Sequence, residues 1–129
     1  MKLADVPGSV GATWGPTDWV EVTAAQVEDY RAATGDPAKG VPPLMVLALT
    51  NLFLPDLFLV DDAATGVNYG TGEVRFPAPA VAGRLRAAAE LVACDEVRGG
   101  LQTTVRVTVE AECLADPVCV VDAISRWLT

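Results

Sequence analysis

Asp36, in Gly35-Asp36-Pro37-Ala38-Lys39-Gly40, is a carboxylate in the loop just before the most apolar run of the chain, and Tyr69, in Val67-Asn68-Tyr69-Gly70, is one of two tyrosines. A carboxylate in a proline-rich loop can take a proton or anchor a polar ligand. It can equally cap a turn with its side-chain oxygen, and the sequence leaves both readings open. A tyrosine can donate a proton, or anchor sheet packing with its hydroxyl satisfied. What is absent limits the chemistry further. The chain contains no histidine, so the commonest general base is unavailable and a zinc site is disfavoured. Cys94, Cys113 and Cys119 show no CxxC spacing, and three cysteines cannot all pair. That argues for a reducing compartment, hence a cytoplasmic location, and for packing in place of disulfides or metal. Asp56, Asp61 and Asp62 gather on one segment, but nothing in their spacing makes them converge, so a solvated loop is expected. Neither a metal nor another cofactor is expected.

The elements that must position these groups belong to one domain, residues 1–129, the ordinary size for a single core. Apolar residues make up 51% of the chain and charged residues 20%, so apolar surface is left over for self-association. A net charge of −8 without any basic cluster excludes nucleic acid and anionic membrane as partners. The N-terminus has an acid and a proline early and no apolar core, unlike a signal peptide. The run from Leu44 to Leu54 is too short, and too soon broken by Pro55, to span a bilayer.

Residues 1–16 read as an extended arm, and 17–22 as a short strand. Thr23 and Gln26 form a capping box, with Gly35 as the stop of an amphipathic helix whose inner face carries Val27 and Tyr30. Pro42 and Pro43 open a second helix that is apolar on every side from Leu44 to Leu54, so it is expected to be almost wholly buried by a sheet wrapped around it with help from a partner, with Pro55 ending or kinking it. Four long alternating strands follow: 67–76, with glycines that suggest a bulge, then 84–97, a Gly99-Gly100 turn, 101–113 and 118–128. Alternation places Val105, Val107, Val109, Ala111 and Cys113 inside. The order predicts an α+β hotdog fold, a meandering antiparallel sheet wrapped around one apolar helix.

The segments WVEVTAAQVEDYRAATGD and VNYGTGEVRFPAPAVAGRLRAAAELV together resemble the MaoC-like dehydratases, the family of the (R)-specific enoyl-CoA hydratases, including the branch like nodulation protein N. The likeness runs from about Gly11 to Trp127 and implies a hotdog dimer with a cavity at the subunit interface. Family members hydrate or dehydrate acyl thioesters with an aspartate and a histidine five positions on, followed by a turn that holds the thioester oxygen. Asp36 stands at the aspartate position, but five positions on is Val41, and the segment between dyad and helix is largely deleted. Pro42 and Pro43 replace the backbone donors of the turn. Each loss costs roughly 10²-fold or more in rate.

The expectation is therefore a divergent member that binds a hydrophobic acyl- or polyketide-like substrate in an interface tunnel and acts as a lyase, cyclase or isomerase instead of a standard hydratase. Asp36 and Tyr69 are its candidate catalytic residues. Asn68, Tyr30, Val41, Pro43 and Met45 are its candidate binding residues. The alternative is a non-catalytic subunit of a heteromeric hydratase or dehydratase. The partner is then a second copy or another hotdog chain.

Overall fold

The computed structural model describes residues 1–129. In chain order its elements are β1 (Thr13–Trp14), β2 (Val20–Val22), α1 (Ala24–Thr34), α2 (Pro43–Leu57), β3 (Thr65–Arg75), β4 (Gly83–Val97), β5 (Gly100–Ala111) and β6 (Cys119–Leu128). The strands form one antiparallel sheet in the order β1-β4-β5-β6-β3, with β2 also on β4. This is the hotdog arrangement, but its strands are not a simple meander. β3 precedes β4 in the chain yet lies beyond β6, so residues 76–82 must cross from one side of the sheet to the other. Pro77 and Pro79 stiffen the crossing. The Ala78 N–H donates to the Pro117 carbonyl at 3.1 Å, and the Ala80 carbonyl accepts from Val41 N–H at 3.1 Å. The crossing thereby binds the start of α2 to the turn before β6.

Local chemistry sets the element ends. Thr23 Oγ1 accepts from Gln26 N–H, and Gln26 Oε1 accepts from Thr23 N–H, which closes the capping box of α1. Gly35 ends α1 in the left-handed region at φ 70°. Between β4 and β5 the two-residue turn is Arg98–Gly99, one position earlier than the Gly99-Gly100 pair suggested. Gly99 takes its positive φ of 86°, while Gly100 lies so close to Trp127 of β6 that a Cβ there would overlap its backbone. β3 contains two register shifts, between Asn68 and Gly70 and between Thr71 and Val74, as its glycines imply.

The sheet's inner face carries Leu85, Ala87, Ala89 and Leu91 of β4, Val105, Val107 and Val109 of β5, and Cys119 and Val121 of β6, all buried against α2. Burial pushes the Cys119 thiol up to about 11, so it acts as a small apolar side chain.

Three expectations are corrected, and a fourth is met as far as one protomer can meet it. In the protomer α2 is buried on one side alone. Met45, Val46, Thr50, Phe53 and Leu57 face the sheet, whereas Leu44 and Leu52 are 57% and 53% exposed. One curved sheet covers one side of a helix, and no second layer lies over the other. Pro55 does not end α2, which runs on to Leu57 and closes with Phe58 N–H on the Leu54 carbonyl at 2.8 Å. A proline this near the C-terminus removes just one donor, the N–H that would reach the Asn51 carbonyl. Cys113 is exposed, because β5 stops at Ala111 and the chain turns before the alternation reaches it. Residues 1–16 are more than an extended arm. Two 3₁₀ turns, Leu3–Asp5 and Pro7–Ser9, seat Val6 at 0% exposure, and β1 adds to the sheet edge.

Candidate functional site

The chemistry-bearing residues fall at opposite ends of α2. At its N-terminal end the loop 35–41 is closed on itself. The Asp36 N–H donates to Thr34 Oγ1 at 3.2 Å, and Asp36 Oδ1 accepts from Ala38 N–H at 2.9 Å, an Asx turn. The Arg31 guanidinium holds the same loop from α1, donating from Nε and Nη2 to the Ala38 carbonyl at 3.1 and 2.7 Å. Nη2 also donates to the Gly40 carbonyl at 2.6 Å. Gly40 is required where it stands: its φ is 68°, and a Cβ would lie 2.9 Å from the Ala80 carbonyl oxygen. In the first turn of α2, Pro43 has no N–H, and Met45 and Val46 both donate to the Pro42 carbonyl. Leu44 therefore carries the one N–H of that turn left over, too few to cradle an oxyanion with paired donors.

At the other end, α2 and β3 diverge and leave an open trough of about 310 Å³. Leu54, Pro55 and Phe58 form its helical wall, Val105, Ala123 and Trp127 its floor, and Gly66 and Val67 its far side. Gly66 allows the Trp127 ring to lie against the strand, since a Cβ would come within 2.8 Å of it. The floor is stiff: Trp127 Nε1 donates to Thr103 Oγ1 at 2.9 Å, and Phe58 meets Trp14 and Trp127 edge to face at 5.3 and 5.9 Å. Three polar side chains line this apolar space, Asn51, Asn68 and Ser125, with Asn68 Nδ2 donating to Asn51 Oδ1 at 3.2 Å. A second hollow of about 260 Å³ shares Asn51, Leu54, Asn68, Ala123 and Ser125 with the first and continues toward Leu47 and Tyr69.

Of the residues singled out from sequence, Asn68 lines this trough and Tyr69 borders its second section, with its ring turned to Arg126 on the other face of the sheet. Tyr69 is 57% exposed, and the Arg126 guanidinium stacks 3.8 Å from its ring centre while donating to Gln102 Oε1. Asp36, Tyr30, Val41, Pro43 and Met45 do not line the trough. Tyr30 is half-buried beside Val27, Val41 and Met45 are core, and Pro43 is exposed at the start of α2. Sequence reasoning missed Asn51 and Ser125. Asn51 carried a signal, being with Thr50 a polar break in an otherwise apolar run. Ser125 emerges through strand pairing, as the register partner of Asn68. No group of histidine, cysteine or acidic side chains is close enough to hold a metal ion. Burial, helped by Asp95 and Glu96, raises the Cys94 thiol, which disfavours it as a nucleophile.

No protein-family model matches the chain. Individual proteins do. The 3-hydroxyacyl-thioester dehydratase Z of Mycobacterium tuberculosis is 33% identical over 145 residues, an alignment that takes in 98% of this chain and 96% of that protein. The chain belongs to the MaoC-like dehydratase family. Nodulation protein N of Rhizobium leguminosarum bv. viciae is 30% identical over 135 residues, covering 87% of this chain and 82% of that one. The crystal structure of the MaoC-like dehydratase from Rhodospirillum rubrum superposes with a TM-score of 0.78 at 16% identity, over 99% of this chain and 97% of the other. The HadBC (3R-hydroxyacyl-ACP dehydratase) complex of Mycobacterium tuberculosis contains a chain that superposes at 0.66 and 17% identity, over 91% and 96%. These superpositions establish the hotdog fold of this dehydratase-family chain. The alignment with the first relative is longer than the 129 residues of this chain, so that dehydratase carries stretches which this member lacks. The absence of histidine also distinguishes this MaoC-like chain from the Asp–His pattern it resembles.

No helix is long and apolar enough to cross a membrane.

Proposed function

We propose that this MaoC-like chain binds a hydrophobic acyl- or polyketide-like substrate in the trough along α2 and β3, roofed by a second hotdog subunit, and turns it over as a lyase, cyclase or isomerase instead of a standard hydratase. The observation that carries this reading is the closed loop 35–41. The Asp36 carboxylate is engaged by Ala38 N–H, no histidine stands near it, and Pro43 has removed a donor from the following turn. Hydration of an enoyl thioester needs a base to take a proton from water and donors to hold the enolate oxygen. At that end the carboxylate has no histidine partner and the turn keeps a single free N–H, which argues against both. A tunnel that fixes one conformation of a flexible substrate still lowers a barrier by orientation, up to ~7–11 kcal/mol in favourable cases. Tyr69, at the rim of the trough with its ring on Arg126, is the candidate to lend a proton, and Asn51, Asn68 and Ser125 are the candidates to hold a substrate oxygen. The roof is supplied by association, which the exposed apolar residues Leu44, Leu52 and Leu59 favour.

The purified chain should therefore give negligible hydration of crotonyl- or longer enoyl-thioesters. Turnover on the order of the ~10 s⁻¹ typical of enzymes, by the chain alone, would overturn the proposal. For any activity found on a cyclisable or isomerisable substrate, Tyr69→Phe should reduce it more than Cys94→Ser does.

A second reading, a non-catalytic subunit beside a dyad-bearing hotdog chain, is favoured by the same exposed stripe and by the two-chain nature of the HadBC relative. Co-expression with a neighbouring hotdog gene product separates the two. A stable mixed complex with hydratase activity that survives Tyr69→Phe supports the subunit reading.

A further inference from the structure

Charged side chains make up 20% of this sequence, yet the trough along α2 and β3 is lined by none of them, in either of its two sections. Arg126, stacked on Tyr69, is already engaged with the ring and with Gln102. A carboxylate or phosphate entering here would leave water without meeting a cation, inside a protein of net charge −8. An ammonium would meet no carboxylate. Under the roof of the proposed second subunit, either charge pays a desolvation penalty that no side chain lining this protomer's trough offsets.

The lining is nevertheless not uniformly apolar. The Asn51–Asn68 hydrogen bond uses one donor and one acceptor and leaves Asn51 Nδ2 and Asn68 Oδ1 free. Turning both amides over exchanges the roles and again leaves one donor and one acceptor. Ser125 adds a hydroxyl able to do either, on the register partner of Asn68. Donors and acceptors thus sit side by side against walls of Leu54, Phe58 and Trp127.

We infer that this trough selects an uncharged group that both donates and accepts hydrogen bonds, a hydroxyl or a carboxamide, carried on an apolar chain, and that Asn51, Asn68 and Ser125 are the residues that select it. The inference rests on the reading above that the trough binds a hydrophobic substrate, and it names the polar group that substrate bears there. An apolar ligand without such a group leaves the amides without partners. A charged one loses its hydration.

The test is isothermal titration calorimetry of the full chain with a matched set of ligands: decanol, decanamide, decanoate and decylamine. Decanol and decanamide should bind at least about tenfold more tightly than the two ions, which corresponds to about one net hydrogen bond. Asn68→Leu and Asn51→Leu, on exposed positions and checked for folding by circular dichroism, should shrink that preference below about threefold. Equal affinities across the set, or a preference unchanged in both variants, would overturn the inference while leaving the trough as a binding site. Failure of all four ligands to bind would overturn the binding reading and this inference together.

Discussion

The two ends of α2 do opposite things. Ahead of its first turn, loop 35–41 is held by the Asx turn, by the Arg31 clamp and by the crossing segment at Ala80. Beyond its midpoint, Asn51, Asn68 and Ser125 retain free donors and acceptors in an open apolar space. A relative with an Asp–His pair would concentrate its chemistry at the first end. In this chain Arg31 and the Asx turn hold that end closed, and unspent hydrogen-bonding capacity lies at the second. A catalytic carboxylate and a turn-forming one look alike in sequence. They differ in where their lone pairs go.

Both ends lean on one packed face, and removing it has the largest effect. Phe53 is 2% exposed on that face, and Phe53→Ala should lower urea-unfolding stability by about 3–5 kcal/mol in a single transition. Two separated transitions would show that the ends are independent units. Next in size is Arg31→Ala, which frees the Ala38 and Gly40 carbonyls and should cost about 1–3 kcal/mol. Hydrogen exchange sharpens the contrast: the Val41 amide should lose protection while the amides of β3 bonded to β6 keep theirs. Loss at both places would break the comparison. Smaller still is Leu52→Gln. Leu52 is half exposed, so unfolding stability at concentrations that dissociate the protein should change by less than about 0.5 kcal/mol. Sedimentation velocity should nevertheless show weaker association.

The smallest effect lies away from both ends and serves as a control. Arg84 hydrogen-bonds Glu112 and holds its carboxyl below the ordinary value. A depressed folded pKa contributes stability above the unfolded pKa, and that contribution disappears as pH falls through the folded one. Glu112→Gln should flatten the acid limb of stability against pH slightly, leave stability below that range unchanged, and leave both ends of α2 untouched.

Much of the architecture was legible because local signals fix it. Thr23, Gln26 and Gly35 mark α1 through hydrogen bonds within a few residues, and alternation identifies the inner faces of β4 and β5. Where burial depends on distant partners, the pattern gave no guidance. Leu52 and Phe53 are both apolar, but which one meets the sheet is decided by the rotation of α2. Cys113 continues the alternation of β5 on paper, yet the strand has already ended. The Asn51–Asn68 contact depends on β3 crossing to β6 and on the irregularity after Asn68, neither of which is written in one segment. Asp36 was legible as a turn residue or a site residue. The donor that occupies it is the backbone of Ala38, which any residue type other than proline would provide.

β3 pairs with β6 on one side and with nothing on the other, and its residues are almost all exposed. An eleven-residue edge of that kind is a template onto which further strands can add without limit. The irregularities at Asn68–Gly70 and Thr71–Val74 change that outcome, because the ladder loses its even spacing twice within one strand. A regular strand laid against this edge would leave donors and acceptors out of step. A second copy running antiparallel across a two-fold axis would occupy the β3 edge of both copies at once and leave that edge unavailable to a third molecule. The glycines and bulges of β3 thus act against open-ended strand addition at this side of the sheet.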